Sequence, residues 1–169
     1  EFFGSRDKIA DAKMEITDFL QEDGEFIYNG DEPLLAERAA KLSQDKSTFG
    51  FADSDSIHAS DLRSTMHHSF FKINGTDREF SIPMIGRHNV ANAMAAILVG
   101  RHFGESDEEI AAGVANFVPT ANRMEWEKGD CGEDIMSDIY NSNPTAVKAV
   151  TASFGQVPVS EGGRRIAVL

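Results

Sequence analysis

A chain of 169 residues that is 41% hydrophobic can bury one large core or two small ones. Its 16 basic residues stand against 28 acidic ones, a net charge of -12, which argues against a general nucleic-acid binder but leaves room for one local basic nucleotide pocket. Cys131 is the only cysteine, so no internal disulfide can form and a reducing, cytoplasmic setting is expected. The longest apolar run, Ala93–Val99, is too short to span a bilayer, and no basic-then-apolar leader opens the chain. The sequence starts on Glu1-Phe2-Phe3-Gly4 without a methionine and stops on Arg165–Leu169, an apolar strand pattern. A fragment of a longer protein is therefore expected.

Ser5 can cap a helix running to about Gln21, with Ile9, Ala12, Ile16, Phe19 and Leu20 at helical spacing. Lys13 falls in that stripe. Either its stem is buried and its ammonium snorkels to water, or chemistry has altered or partnered its charge. Asp23-Gly24 marks a turn, Glu25–Asn29 a short strand and Asn29-Gly30-Asp31 the loop at its end. Pro33 can start a helix over Leu34–Leu42 with Leu34, Leu35, Ala39 and Leu42 inward, and Thr48–Phe51 reads as a second strand. That order suggests a parallel α/β unit.

Ile57–Ser64, Ser69–Ile73 and Glu79–Ile85 are further strand candidates. Asn74-Gly75 between the last two predicts a hairpin, and Phe71, Ile73, Phe80 and Ile82 alternate with polar neighbours, so one face of this small antiparallel sheet should be wet. His67 and His68 are adjacent, point to opposite faces and read as surface residues. A helix follows with Val90, Met94, Ile97 and Leu98 inward. Ser106 and Glu109 form a capping box for the next, whose inner residues are Ile110, Val114 and Phe117. Pro119–Asn122 is the expected boundary and hinge, dividing the chain into residues 1–118 and 119–169. Beyond it, Arg123–Glu127 and Asp134–Ile139 read as strands, Asn143 and Pro144 start a helix to about Phe154, and Ile166–Leu169 reads as the next strand of a Rossmann-like sheet. Asp138 falls near a strand's carboxyl end, where open α/β sheets bind ligands.

Ile85–Gly100 joins an apolar strand, a glycine, a polar triplet and an Ala-rich helix. His88, Asn89 and Asn92 lie three or four residues apart on the first helical turn. Two readings stand side by side. Asn89 caps the helix and Asn92 is merely exposed, or the turn binds an anion at its free N–H groups while a carboxamide pairs with adenine. The sequence holds no Gly-x-x-x-x-Gly-Lys-Ser/Thr loop, no Gly-x-Ser-x-Gly elbow and no paired Cys/His metal spacing.

Five segments together carry a resemblance: Phe3-Gly4-Ser5 with Ile9-Ala10-x-Ala12-Lys13-x-Glu15-Ile16, then Gly86-x-His88-Asn89-Val90-x-Asn92-Ala93, Asn122-Arg123-Met124-Glu125, Asp138-x-Tyr140-Asn141-x-Asn143-Pro144 and Arg165–Leu169. In this order they resemble the Mur ligase family, and the Tyr-Asn-x-Asn-Pro segment resembles most the members that add D-alanyl-D-alanine to UDP-N-acetylmuramoyl-tripeptide in peptidoglycan synthesis. The resemblance implies an α/β fold. Residues 1–118 would form the later part of a central ATP-binding domain, a parallel α/β unit plus a small antiparallel sheet. Residues 119–169 would begin a Rossmann-like C-terminal domain. The phosphate loop and the Mg²⁺-binding Glu and His would lie outside this chain, which alone would be inactive.

The implied reaction is ATP-dependent amide formation through an acyl phosphate, in which positioning and charge neutralisation dominate. By the same resemblance Lys13 matches a carbamylated lysine that ligates Mg²⁺, and Asn92 an asparagine that contacts adenine, with His88 and Asn89 shaping the turn. Arg123 matches an arginine on the ATP phosphates, Asp138 an acid at the nucleotide, and Tyr140, Asn141 and Asn143 lie near the nucleotide or the incoming dipeptide. A surface ion pair for Arg123, a strand-end cap for Asp138 and a simple N-cap for Asn143 are the structural alternatives. Expected partners are the muramoyl-tripeptide and D-Ala-D-Ala, with no nucleic acid, no membrane insertion and a monomeric state. The competing functions are another amide ligase of folylpolyglutamate synthase or diaminopimelate- or lysine-adding type, and a non-catalytic nucleotide-binding module.

Overall fold

The computed structural model describes residues 3–168. Helix α1 (Arg6–Met14) begins where expected, with the Ser5 hydroxyl accepting from the Lys8 N–H at 3.2 Å. It ends seven residues earlier than its apolar stripe predicts and passes into a short 3₁₀ turn, Glu15–Thr17. The reason is visible in the burial. Only Ala10 of α1 is buried, while Ile16 and Phe19 are 77% and 89% exposed, so no described element covers the stripe that would extend the helix. Ion pairs tie α1 to α2 (Pro33–Ala39): Arg38 reaches Asp11 at 2.7 Å and Asp7 at 3.4 Å, and Arg6 reaches Glu32 at 2.7 Å. The two aspartates hold the Arg38 guanidinium above its ordinary pKa, Asp11 most strongly.

Strand β1 (Glu25–Asn29), α2 and β2 (Asp45–Gly50) form the expected parallel unit, with β2 starting three residues before its apolar part. Strand β3 (Ile57–Ser64) does what the sequence did not predict. Its first residues pair parallel with β2, and the rest pairs antiparallel with β4 (Ser69–Ile73), which pairs with β5 (Glu79–Ile82). The parallel unit and the antiparallel hairpin are thus one five-stranded sheet, β1-β2-β3-β4-β5. The register shifts between Ser60 and Arg63, where Asp61 has φ 50°, and this bulge lets one strand serve both pairings. His67 and His68 lie in the exposed β3–β4 turn rather than in a strand.

Helix α3 (Arg87–His102) crosses β1, β2 and β3, and α4 (Asp107–Asn116) packs on α3 and β5. Val90, Met94, Ile97 and Leu98 are buried as predicted, against Phe71, Ile73, Phe80 and Ile82 on the dry face of the sheet. The capping box of α4 forms in both directions. Ile110 is buried and Val114 packs against the same core, but Phe117 sits past the helix end and is 41% exposed.

After the linker, β6 (Glu125–Lys128) and β7 (Asp134–Ser137) make a two-stranded antiparallel ribbon, followed by α5 (Pro144–Gln156). Both strands are shorter than predicted because Asn122 and Met124 adopt φ 60° and 49°, left-handed backbone that cannot continue a strand. Ile166, Ala167 and Val168 do not form the expected strand, and Ile166 and Val168 are 64% and 91% exposed; Leu169 lies outside the described residues. A strand needs a neighbour to satisfy its N–H and C=O groups, and no described strand pairs with this segment. A second, smaller core of Ile85, Met124 and Val157 joins α5 and the ribbon to the end of the large sheet. No helix among the described residues is long and apolar enough to cross a membrane.

Candidate functional site

The parallel strands β1, β2 and β3 carry their carboxyl ends to one edge, and α3 begins at that edge. A cleft of about 770 Å³ opens there, between Asn29, Asp31 and Phe51 on the sheet side, Arg63 at the end of β3, the Gly86–His88 turn, and Ser153 and Gln156 of α5. This is where open α/β sheets place ligands, and the first turn of a long helix adds unpaired N–H groups and a positive dipole end. Gly86 has φ 102°, and a Cβ there would lie 2.6 Å from Ser153 Oγ and 2.8 Å from His88 Cε1. Only glycine lets α5 approach the start of α3 this closely.

Two arginines line the cleft. The Arg87 guanidinium lies 3.5 Å from the centre of the Phe51 ring, a cation–π contact that holds the charge in place. Arg63 stacks on Phe70 at 4.2 Å and pairs with Glu79 at 2.7 Å. His88 is half-buried, and that burial pushes its imidazole pKa down, against a smaller upward pull from the Asp138 carboxylate. Burial thus favours the neutral ring. Arg87, Phe51, Asn29 and Asp31 were not among the residues singled out from the sequence. A signal for the last two was present, since Asn29-Gly30-Asp31 follows a strand of a predicted parallel unit.

Asn89 does not cap the helix, which was its structural alternative. It sits inside α3, is 8% exposed, and its amide N–H donates to the Ile85 carbonyl at 2.8 Å and to the Met124 sulfur at 3.3 Å. Gly86 holds the N-cap position with no side-chain hydrogen bond. Asn92 is exposed. His88, Asn89 and Asn92 thus do not act as one triplet: the first lines the cleft, the second is turned into the joint with Met124, and the third is free.

Asp138 accepts the Met124 N–H at 3.1 Å, so the acid does serve as a cap for the bend before β6. Arg123 projects from the same bend and stacks on the Tyr140 ring at 4.2 Å rather than forming an ion pair. Asn143 accepts the Ala146 N–H at 2.9 Å and caps α5 as predicted, and Asn141 is exposed. The structure therefore brings His88, Asn89, Arg123, Asp138 and Tyr140 together around Met124. Lys13 lies elsewhere. It is exposed, not core-facing, and borders a groove of about 210 Å³ with Ile9, Leu34 and Leu35; the groove's one acid, Glu32, is paired with Arg6. A free ammonium is comfortable there, so its position needs no altered charge. Among the described residues no group of three or more His, Cys, Asp or Glu could hold a metal ion, so a magnesium site does not fit these residues alone.

Residues 1–100 match the Mur ligase middle domain. The chain belongs to the Mur ligase family. Its similarity to the UDP-N-acetylmuramoyl-tripeptide–D-alanyl-D-alanine ligase of Bacillus subtilis is 43% identity over 146 residues, covering 86% of this chain and 31% of that protein. A Mur ligase structure, MurF from Acinetobacter baumannii, superposes with a TM-score of 0.82 at 27% identity, over 91% of this chain and 34% of that one. The MurF ligase from Thermotoga maritima in complex with ADP superposes with a TM-score of 0.78 at 22% identity, over 94% and 37% of the two chains, and shows the shared fold. The chain spans about a third of the length of the Mur ligases it matches. The family fold agrees with the mixed α/β architecture expected from the sequence, and in this chain the parallel unit and the small antiparallel sheet join as one five-stranded sheet, with the β6–β7 ribbon separate.

Proposed function

We propose that this chain is part of an ATP-dependent amide ligase that joins D-alanyl-D-alanine to UDP-N-acetylmuramoyl-tripeptide. In this reading residues 1–118 belong to the ATP-binding domain and residues 119–169 begin the domain that closes on it. The observation that carries the reading is the 43% identity to the D-alanyl-D-alanine ligase over 146 residues. A match of that length cannot miss Gly86–Ala93 or Asn122–Pro144, the two segments that form the cluster around Met124.

The chemistry is phosphoryl transfer from ATP to the tripeptide's terminal carboxylate, then attack by the dipeptide amine with loss of phosphate. Side chains supply position and charge rather than covalent steps. The first turn of α3 presents backbone N–H groups and Arg87 to an anion. His88, whose burial favours the neutral ring, packs the turn beside the exposed Arg87. Arg123, held by a planar stack rather than by an acid, keeps its guanidinium fork free for phosphate oxygens. Asp138 fixes the bend that carries Arg123. Tyr140, Asn141 and Asn143 border the position of the incoming dipeptide.

Asn92 is the proposed adenine contact, its carboxamide matching the N6 and N7 edge with one donor and one acceptor. Because it is exposed, it has no packing task to lose. In the complete protein Asn92→Ala should raise the Kd for ATP roughly tenfold to a hundredfold, the size of a lost two-point contact. Its unfolding free energy should stay within about 0.5 kcal/mol. ATP titration and urea unfolding of the same variant check both. Unchanged ATP affinity would leave Asn92 as a merely exposed residue of α3.

A further inference from the structure

Met124 lies between two exposed residues, Arg123 of the proposed nucleotide site and Glu125, yet it is itself only 5% exposed. Its backbone takes φ 49°, a left-handed conformation that long side chains rarely adopt. The surroundings over-determine it. The sulfur accepts the Asn89 amide at 3.3 Å, and the same amide donates to Ile85 at 2.8 Å, which locks the methionine to the entry of α3. The Met124 N–H goes to Asp138 Oδ1 at 3.1 Å, which locks it to the end of β7. One residue thus spans the two halves of the chain. Around it, Met66, Met84, Met136 and Trp126 pack on the Ile85–Val157 core, so this small joint holds four of the chain's six methionines. Unbranched thioether side chains fill irregular gaps and tolerate repacking, which suits a joint between two parts.

We propose that Met124 is a positioning residue: it seats the β6–β7 ribbon on the first turn of α3 and thereby fixes the bend that carries Arg123 and holds Asp138 near His88, which lines the cleft. What those two residues then contact rests on the ligase reading above. The left-handed turn is the cost of pointing one side chain into the joint while the neighbouring arginine stays on the surface.

Two arms test this. Trp126 is the sole tryptophan and packs in the joint, so its acrylamide quenching reads the seat directly in the 169-residue chain. In the complete protein, steady-state kinetics read the consequence. Met124→Ala should at least double the quenching constant and raise the KM for ATP about tenfold, with the KM for D-Ala-D-Ala unchanged, since a small misplacement of a binding group is costly. Met124→Leu refills the joint and should restore quenching and KM to within about threefold. Unchanged quenching in Met124→Ala overturns the seat. Raised quenching with an unchanged KM for ATP, in a protein that does ligate, overturns the positioning role. If the unaltered protein does not ligate, the ligase reading fails, and the quenching arm still decides the seat.

Discussion

Phe80→Ala should destabilise this chain by about 3–5 kcal/mol, the largest stability effect expected of any single truncation here. Phe80 is fully buried, stacks on Phe71 with ring centres 5.8 Å apart, and is paired with it across β4 and β5. Both rings belong to the core that α3 closes with Val90, Met94 and Ile97. Truncation removes the buried ring and leaves a cavity that two strands and a helix, each fixed by its own hydrogen bonds, cannot collapse to fill. At roughly 2–4 °C per kcal/mol for a chain of this size, the melting temperature should fall by about 6–20 °C. Thermal unfolding followed by circular dichroism measures it. A loss under about 1 kcal/mol would mean that the sheet and α3 do not share this core.

Arg123→Ala should lower kcat/KM for ligation in the complete protein by about a hundredfold to a thousandfold, the usual effect of removing one charged or hydrogen-bonding group from a developing negative charge. Its effect on stability should be small, since Arg123 is exposed and its one marked contact is the stack on Tyr140. Arg123→Lys should recover only part of the loss, because an ammonium cannot grip two phosphate oxygens in one plane. Steady-state rates of the two variants check this. Near-normal rates for Arg123→Ala would leave the arginine as a surface residue that packs on a tyrosine.

What the sequence made legible was local. The capping box of Ser106 and Glu109, the Asn143-Pro144 helix start, and the alternation of Phe71, Ile73, Phe80 and Ile82 all act within a few residues, and each appears as read. What it hid was non-local. That β3 pairs with β2 as well as β4 depends on a bulge at Ser60–Arg63, and no periodicity marks it. Asn89 reads as a cap until Met124, 35 residues away, accepts its amide. The Ile9–Leu20 stripe promised a buried helix face, but an apolar stripe asks for a partner without supplying one, and Ile16 and Phe19 stay exposed. Lys13 followed the same error, since its odd placement came from assigning it to that buried stripe. The motif residues of the site were visible because they cluster in two short segments. Arg87 and Phe51 were not, because their contact joins the start of α3 to the end of β2.

As proposed above, this chain serves a ligase that joins D-alanyl-D-alanine to a muramoyl-tripeptide at the expense of ATP. The most direct measurement incubates the complete protein with UDP-N-acetylmuramoyl-tripeptide, ATP and D-Ala-D-Ala, and follows ADP, phosphate and the pentapeptide product together. All three should appear in equal amounts, and omitting the dipeptide should abolish the pentapeptide. ADP and phosphate released with no pentapeptide formed, or a product built from a different amino acceptor while D-Ala-D-Ala is left untouched, would contradict it.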